Sequence, residues 1–298
     1  MQQHPNFMVV GAAKSGTTSL YYYLREHPEV FVPSKETYFF SPQHAKQAGA
    51  KVRVDSEEAY RALFGKGLSA HIKASGEVSS CYLYTYRESI PLIKKYLGDI
   101  RIVMVLRNPA ERAFSHYMYF ARDLRVAARF EDAIEEERVT GGKSSAWPRH
   151  YLHMGFYHDQ VRDYLENFRN VKIYITEELH AATGHVIQDL YRFLGVDSSF
   201  SPDTSRRYNV SGVPRNTFIQ WLFFKPTRSK LAIKQFLVDH FFGDELVSGI
   251  IEKLRSKNLM KVSMAPETRR HLVKLYRNDV LKVQQLIRKD LSSWLESP

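Results

Sequence analysis

The sequence predicts an α/β fold: a central, mainly parallel sheet covered by helices on both faces, followed by a helical carboxyl-terminal part. Three observations predict it. Short apolar runs alternate with amphipathic segments through about the first two hundred residues, the pattern of parallel strands joined by crossover helices. The run ending at Gly11 passes directly into a tight loop, AAKSGTT, which opens into a helical pattern. After Arg215 no convincing strand follows, and apolar residues recur at helical spacing among lysines and arginines.

Strands are expected at Phe7–Gly11, Ile72–Glu77, Arg101–Leu106 and Val171–Ile175. Helices are expected to start at Thr17, near Glu88, at Pro109, near Phe130, near Tyr157 and near His185. Pro109 suits a first helical turn, where its missing N–H has no intrahelical partner to lose. From Pro266 onward, Leu272, Leu275, Tyr276, Val280, Val283, Ile287, Leu291 and Trp294 fall on one stripe, which predicts a helix packed back on the core. At 298 residues and 44% hydrophobic composition, a single domain spanning 1–298 is expected, with a core over 1–215 and a basic helical extension over 216–298.

The formal net charge is +11, and residues 201–298 hold 18 Lys/Arg against 9 Asp/Glu. Such a balance suits a protein that handles nucleotides, anionic polymers or a membrane surface. The single cysteine, Cys81, excludes an internal disulfide and fits a reducing compartment. MQQHPNF is not a basic segment followed by an apolar one, and no stretch approaches about 18 uncharged apolar residues, so a cytoplasmic location is expected. Neither a helix-turn-helix nor an RNP-type motif is visible, and no nucleic-acid partner is expected. Residues 216–262 mix aromatics with lysines. The favoured reading is helices packed through their apolar faces; the alternative is a platform for a lipid acceptor or an anionic membrane.

The loop after the first strand carries the chemistry. A glycine-containing turn between a buried strand and a helix aims backbone N–H groups at one point, and the helix start adds partial positive charge. Lys14 adds a full charge, while Ser15, Thr17 and Thr18 add donors around Gly16. The register differs from the Walker loop, where lysine follows the last glycine; here it lies two positions before it. A metal-dependent phosphotransferase also wants an acid at the end of a nearby strand, and RIVMVL ends in Arg107 and Asn108. The residues point to a site that transfers or holds an anionic group without Mg²⁺.

KSGTT at 14–18, KETYFF at 35–40 and LRNPAERAFSHY at 106–117 together resemble the sulfotransferases that use 3′-phosphoadenosine 5′-phosphosulfate (PAPS). The chain is most similar to the branch with bacterial and heparan-sulfate-type carbohydrate members. GEVSSCYL at 76–83, GFYHDQV at 155–161, EELHAATGHVIQDLYRFLGV at 177–196 and DLSSW at 290–294 extend the resemblance along nearly the whole chain. It implies a P-loop-like three-layer α/β sandwich and transfer of a sulfuryl group from PAPS to a hydroxyl or amine, leaving adenosine 3′,5′-bisphosphate.

The resemblance assigns Lys14, Ser15, Gly16, Thr17 and Thr18 to the 5′-phosphosulfate, and Arg107 with Ser115 to the 3′-phosphate. Lys14 would neutralise charge on the oxygen bridging sulfur and phosphorus, an effect of roughly 3–4 kcal/mol for a well-placed donor. Ser211, Gly212 and Arg215, in RRYNVSGVPRN, are candidates for a loop closing over the nucleotide. Glu36 matches the family's catalytic glutamate, with Glu77, His71 and His116 as reserve bases. Tyr38 stands where many relatives carry histidine, and Val78 where heparan-type members carry lysine, which counts against a heparan-like acceptor. Tyr38, Trp147, Arg149 and Tyr157 are candidates for binding a carbohydrate, small-molecule or lipid acceptor. An ATP-dependent phosphotransferase and a non-catalytic module for anionic polymers are the rival readings.

Overall fold

The computed structural model describes residues 5–33, 35–47, 54–65, 69–126, 128–143, 147–204, 213–216, 258–260 and 262–296. Ser211, Gly212 and most of 216–262 lie outside the described residues, as does the side chain of Trp147.

Five parallel strands form one sheet in the order β2-β3-β1-β4-β5. They are β1 (Phe7–Gly11), β2 (Val30–Phe31), β3 (Ala74–Val78), β4 (Arg101–Leu106) and β5 (Val171–Ile175). Alternate side chains of β1 and β4 enter separate apolar layers, as a two-residue period requires. Met8, Val10, Ile102, Met104 and Leu106 face one layer; Phe7, Val9, Val103 and Val105 face the other.

Helices cover both faces. The first layer is closed by α4 (Tyr86–Leu97), α5 (Pro109–Arg122) and α7 (His158–Asn167), through Ile90, Ile93, Ala113, Val161 and Tyr164. The second is closed by α1 (Thr17–Glu26), α8 (Thr176–Ala181) and α9 (Thr183–Leu194). Leu20, Leu24, Leu190 and Tyr191 are wholly buried there, each aliphatic chain contributing roughly 1.5–3 kcal/mol relative to exposure. Three further helices, α2 (Pro42–Gln47), α3 (Glu57–Gly65) and α6 (Phe130–Thr140), lie between these elements in sequence. Gly76 faces Phe7 in the β1/β3 register, and a Cβ there would stand 2.5 Å from the Phe7 carbonyl oxygen.

The final helix, α10 (Pro266–Ile287), buries Leu272, Tyr276, Val280 and Val283 in the first layer, and Leu291 and Trp294 follow them just past its end. Polar ties fix it: Asp279 accepts from the Tyr157 and His158 amides at 2.7 and 3.2 Å, and the Tyr276 hydroxyl donates to the Leu152 carbonyl at 2.8 Å. The expected packing of this stripe onto the core is therefore what the described residues show. Among them, no helix is long and apolar enough to cross a membrane.

Several expectations need correction. β3 begins at Ala74, two residues later than expected, and α4 and α9 each begin two residues earlier. β2, α2 and α8 were not anticipated, being too short for a periodic signal, and α3 was missed although its buried Tyr60 and Phe64 stand four residues apart on one face. A strand does occur after Arg215: Val213–Pro214 (β6) pairs antiparallel with Leu259–Met260 (β7). Two-residue strands have no period to read.

Topology places the site. From β1 the chain builds β2 and β3 on one side, then crosses to β4 and β5 on the other. The order reverses between β1 and β4, and open parallel sheets bind ligands beyond the carboxyl ends of the strands at such a point. Both the lysine loop and Arg107 emerge there.

Candidate functional site

The loop after β1 is held by its neighbours. The Ala12 amide donates to the Val105 carbonyl at 2.8 Å, and Thr176 Oγ1 donates towards the Ser15 and Leu106 carbonyls at 3.2 and 3.0 Å. Arg107 Nη1 donates to the Lys14 carbonyl at 3.0 Å, and Lys35 Nζ donates to Thr18 Oγ1 at 2.5 Å. Gly16 sits at φ 101° at the start of α1, and a Cβ there would approach Leu179 Cδ2 to 2.9 Å. Only glycine accommodates both conditions.

No side chain caps α1, and its first turn holds no acidic residue. Its amide groups are thus left open to an anion. Ser15 is wholly buried; the neighbouring Tyr157 hydroxyl donates to the Arg107 carbonyl at 3.1 Å, leaving Ser15 Oγ without a well-formed hydrogen bond. A buried hydroxyl in that condition is costly unless a ligand completes it. Thr17 is buried and Thr18 half-buried in the first turn.

The charges acting on Lys14 are all positive, although Asp123 pairs with Arg122 at 3.4 Å and Glu36 lies 3.9 Å from Lys35. Burial, reinforced by the charges of Arg122, Lys35, Arg107 and Arg112, pushes the Lys14 ammonium down from 10.5 to about 7. Burial likewise lowers Lys35 and Arg107. Lys14 Nζ lies 4.6 Å from the centroid of the Tyr119 ring, and Arg122 Cζ lies 5.2 Å from the same centroid. Clustered cations disfavour one another unless an anion joins them. Ser115, buried on α5, lies two turns along the helix that begins beside Arg107. Glu111 pairs with Arg269 at 3.1 Å.

Glu36 is half-buried and held at φ 58°. Its Oε1 accepts from the Ser80 amide at 3.1 Å and the Ser80 hydroxyl at 2.7 Å, with Lys35 Nζ 3.9 Å away. Tyr38, at φ 61°, is close enough to Glu36 and Tyr119 for their charges to act on its hydroxyl. Burial foremost, then Glu36, raises that hydroxyl well above its ordinary range, so Tyr38 stays a neutral donor.

Other candidates fall elsewhere. Tyr157 must be reassigned: it is wholly buried, with its hydroxyl bonded to the Arg107 carbonyl, and cannot stack on an acceptor. Instead it braces the end of β4. Arg149 is exposed in a short 3₁₀ turn, Trp147–Arg149. Arg215 is exposed, its amide donating to the Asn258 carbonyl at 2.7 Å in the ribbon that packs beside α5. Of the reserve bases, Glu77 is fully buried among hydroxyls, and His116 is buried and held neutral by burial and the Arg112 charge. His71 is exposed and bonds the Ser69 hydroxyl at 2.6 Å.

Arg112, Tyr119 and Arg122 were missed as site residues. With Ser115 they recur at intervals of three, four and three along α5, a single helical face. That spacing was visible, but such a stripe reads as core.

A sequence model described as the sulfotransferase family matches residues 5–201. The chain belongs to the sulfotransferase family. A sulfotransferase from Alicyclobacillus acidocaldarius superposes with a TM-score of 0.73 at 28% identity, covering 99% of this chain and 100% of that one. The membrane-associated sulfotransferase kil1 of Dictyostelium discoideum is 31% identical over 140 residues, 45% of this chain and 28% of its own length. Human heparan sulfate glucosamine 3-O-sulfotransferase 3B1 is 26% identical over 167 residues, 56% of this chain and 39% of its length. The chain thus spans well under half the length of these two relatives. The family's expected architecture, a parallel sheet between helical layers, is the one observed, and the family match covers the lysine loop, Glu36, Arg107 and Ser115 alike.

Proposed function

We propose that the protein moves a sulfuryl group from PAPS to a hydroxyl or amine of an acceptor and leaves adenosine 3′,5′-bisphosphate. The observation that carries this reading is the half-buried Lys14, whose perturbing charges, Arg122, Lys35, Arg107 and Arg112, are all positive. The open start of α1 and the orphaned Ser15 hydroxyl fit a phosphosulfate, and Arg107 with Ser115 fits the 3′-phosphate. When bound, PAPS supplies an activated sulfuryl group on a phosphate leaving group.

The chain's own groups do the rest. Amides 15–18 and Lys14 orient the donor and take up the charge that grows on the bridging oxygen. Lys35, bonded to Thr18, adds a second cation at the same end of α1. Glu36 takes the proton from the attacking group, a role worth on the order of 10²–10⁴-fold. Ser80 fixes the carboxylate, and Tyr38 offers the acceptor a neutral hydroxyl. The proposal extends to a carbohydrate, small-molecule or lipid acceptor, with Arg149 and Trp147 on the acceptor side. It extends also to metal-independent transfer and to a cytoplasmic location, the latter supported by the single buried Cys81.

The test is calorimetric titration of adenosine 3′,5′-bisphosphate without divalent metal, compared with 5′-AMP and ATP–Mg²⁺. Tight binding that needs the 3′-phosphate and weakens in Arg107→Ala supports the donor assignment and licenses an acceptor screen. Preference for ATP–Mg²⁺ shifts the reading to a phosphotransferase. No nucleotide binding shifts it to a polymer-binding module.

A further inference from the structure

The segment carrying Glu36 is folded in an unusual way. Glu36 and Tyr38 both occupy the left-handed backbone region, at φ 58° and 61°, where residues other than glycine are uncommon. Between them Thr37 turns inward and is 3% exposed. Its hydroxyl donates to Glu77 Oε1 at 2.6 Å and accepts from the Phe39 amide at 3.3 Å. A pair of left-handed residues around one inward-turned residue keeps Glu36 and Tyr38 half-exposed while the backbone between them is pinned to the sheet.

Glu77 is the hub of this arrangement. It lies on β3, wholly buried, with no cation bonded to its carboxylate among the described residues. Oε1 accepts from Thr37, Ser79 and, at 2.9 Å, the Tyr82 hydroxyl; Oε2 accepts from the Tyr60 hydroxyl at 3.0 Å. Four donors nearly saturate a carboxylate. They come from the Glu36 segment, from α3 and from the turn after β3, so one carboxylate joins three separate parts of the chain. The Tyr82 hydroxyl also receives the Phe40 amide at 3.3 Å, and Phe39 stacks on Tyr60 at 4.5 Å. Ser79, held by Glu77, immediately precedes Ser80, whose amide and hydroxyl grip Glu36.

We propose that Thr37 and Glu77 are a positioning pair, which holds Glu36 and Tyr38 in their strained backbone and sets the carboxylate at the transfer site. The Glu36 amide is tied directly to β3, donating to the Val78 carbonyl at 3.0 Å, and the two further ties, the backbone through Thr37 and the side chain through Ser80, both lead back to Glu77. An apolar residue would fill the same core space but could not gather hydroxyls from three segments. The consequence for turnover rests on the sulfotransferase reading above; the structural consequence does not.

The test compares the whole chain with Thr37→Val, which keeps the branched shape and removes the donor, with Thr37→Ser, which restores it, and with Glu77→Gln. Two quantities are read: amide hydrogen exchange of segment 35–40 against segment 7–26, and the rate at which PAPS yields adenosine 3′,5′-bisphosphate with water as the probe acceptor. The expected result is at least tenfold faster exchange over 35–40 in Thr37→Val and Glu77→Gln, with 7–26 unchanged. Turnover falls about tenfold or more while bisphosphate affinity stays within twofold, and Thr37→Ser recovers both. Unchanged exchange in Thr37→Val overturns the proposal. So does faster exchange with unaltered turnover, or an equal loss of turnover and bisphosphate affinity, which marks general loosening. If the wild type neither binds the bisphosphate nor releases it from PAPS, the sulfotransferase reading fails, and the exchange comparison still decides whether the pair anchors the segment.

Discussion

Binding of adenosine 3′,5′-bisphosphate is expected to draw a proton onto Lys14. The free site holds that ammonium at about 7 rather than 10.5 because it is buried and because Arg122, Lys35, Arg107 and Arg112 repel it. That shift corresponds to about 5 kcal/mol disfavouring the charged form. An oxyanion seated on the loop reverses the balance and returns Lys14 towards its ordinary value. At pH 8 the free amine is about nine-tenths neutral, so binding takes up about 0.9 proton. Apparent affinity then falls about fiftyfold between pH 7 and pH 9, because proton uptake is part of the binding step. The phosphates, whose second ionisation lies at about pH 6, are at least about nine-tenths ionised throughout that range and contribute little. Calorimetry at pH 8 in two buffers of different ionisation enthalpy reads the uptake directly. Uptake below about 0.3 proton, or uptake persisting in Lys14→Met, would refute the reasoning.

Four further outcomes are expected. Lys14→Met should raise the Tm of the unliganded protein by a few degrees while weakening, without abolishing, its stabilisation by the bisphosphate. The folded protein binds Lys14's proton less well than the unfolded chain, so the cost of the native lysine is full below pH 7 and fades as pH approaches 10.5; the gain in Tm should therefore shrink over that range. Arg107→Ala should weaken bisphosphate binding about 30- to 100-fold and 5′-AMP binding less than about threefold, since a charge-assisted phosphate contact is lost. Glu36→Gln should lower turnover on the order of 10²–10⁴-fold with bisphosphate affinity unchanged, as single-turnover assays beside calorimetry would reveal. Glu137, 2% exposed, accepts from the Leu152 and His153 amides at 2.8 and 2.9 Å and from the His153 ring at 2.6 Å. Glu137→Gln should cost about 1–3 kcal/mol in denaturant unfolding by placing a donor where acceptors are needed, without altering bisphosphate affinity.

By itself the sequence determined the central strands, the lysine loop, the long α5 and the return of the last helix onto the core. These rest on local physics. β1 and β4 are continuous apolar runs because both their faces are covered, α5 starts where Asn108 Oδ1 accepts from the Ala110 amide at 3.0 Å, and the stripe of α10 repeats at helical spacing. Lys14, Glu36, Arg107 and Ser115 are candidates from sequence alone because short motifs name a chemistry through residue type and order.

Only the tertiary structure decided what those residues experience. Lys14 is pushed down to about 7 first by burial and then by cations as far along the chain as Arg122 folded against it, and no local pattern encodes either. Glu77 and Tyr157 looked like candidates for chemistry and binding because a carboxylate and a tyrosine permit both. Four hydroxyls and a carbonyl acceptor, from distant segments, make them supports instead. The positive φ angles of Glu36 and Tyr38 likewise follow from contacts with β3 and its turn rather than from their own preferences. Residue type and order fix what a group is able to do; burial, charge and hydrogen-bond partners, which depend on residues far apart in the chain, fix what it does.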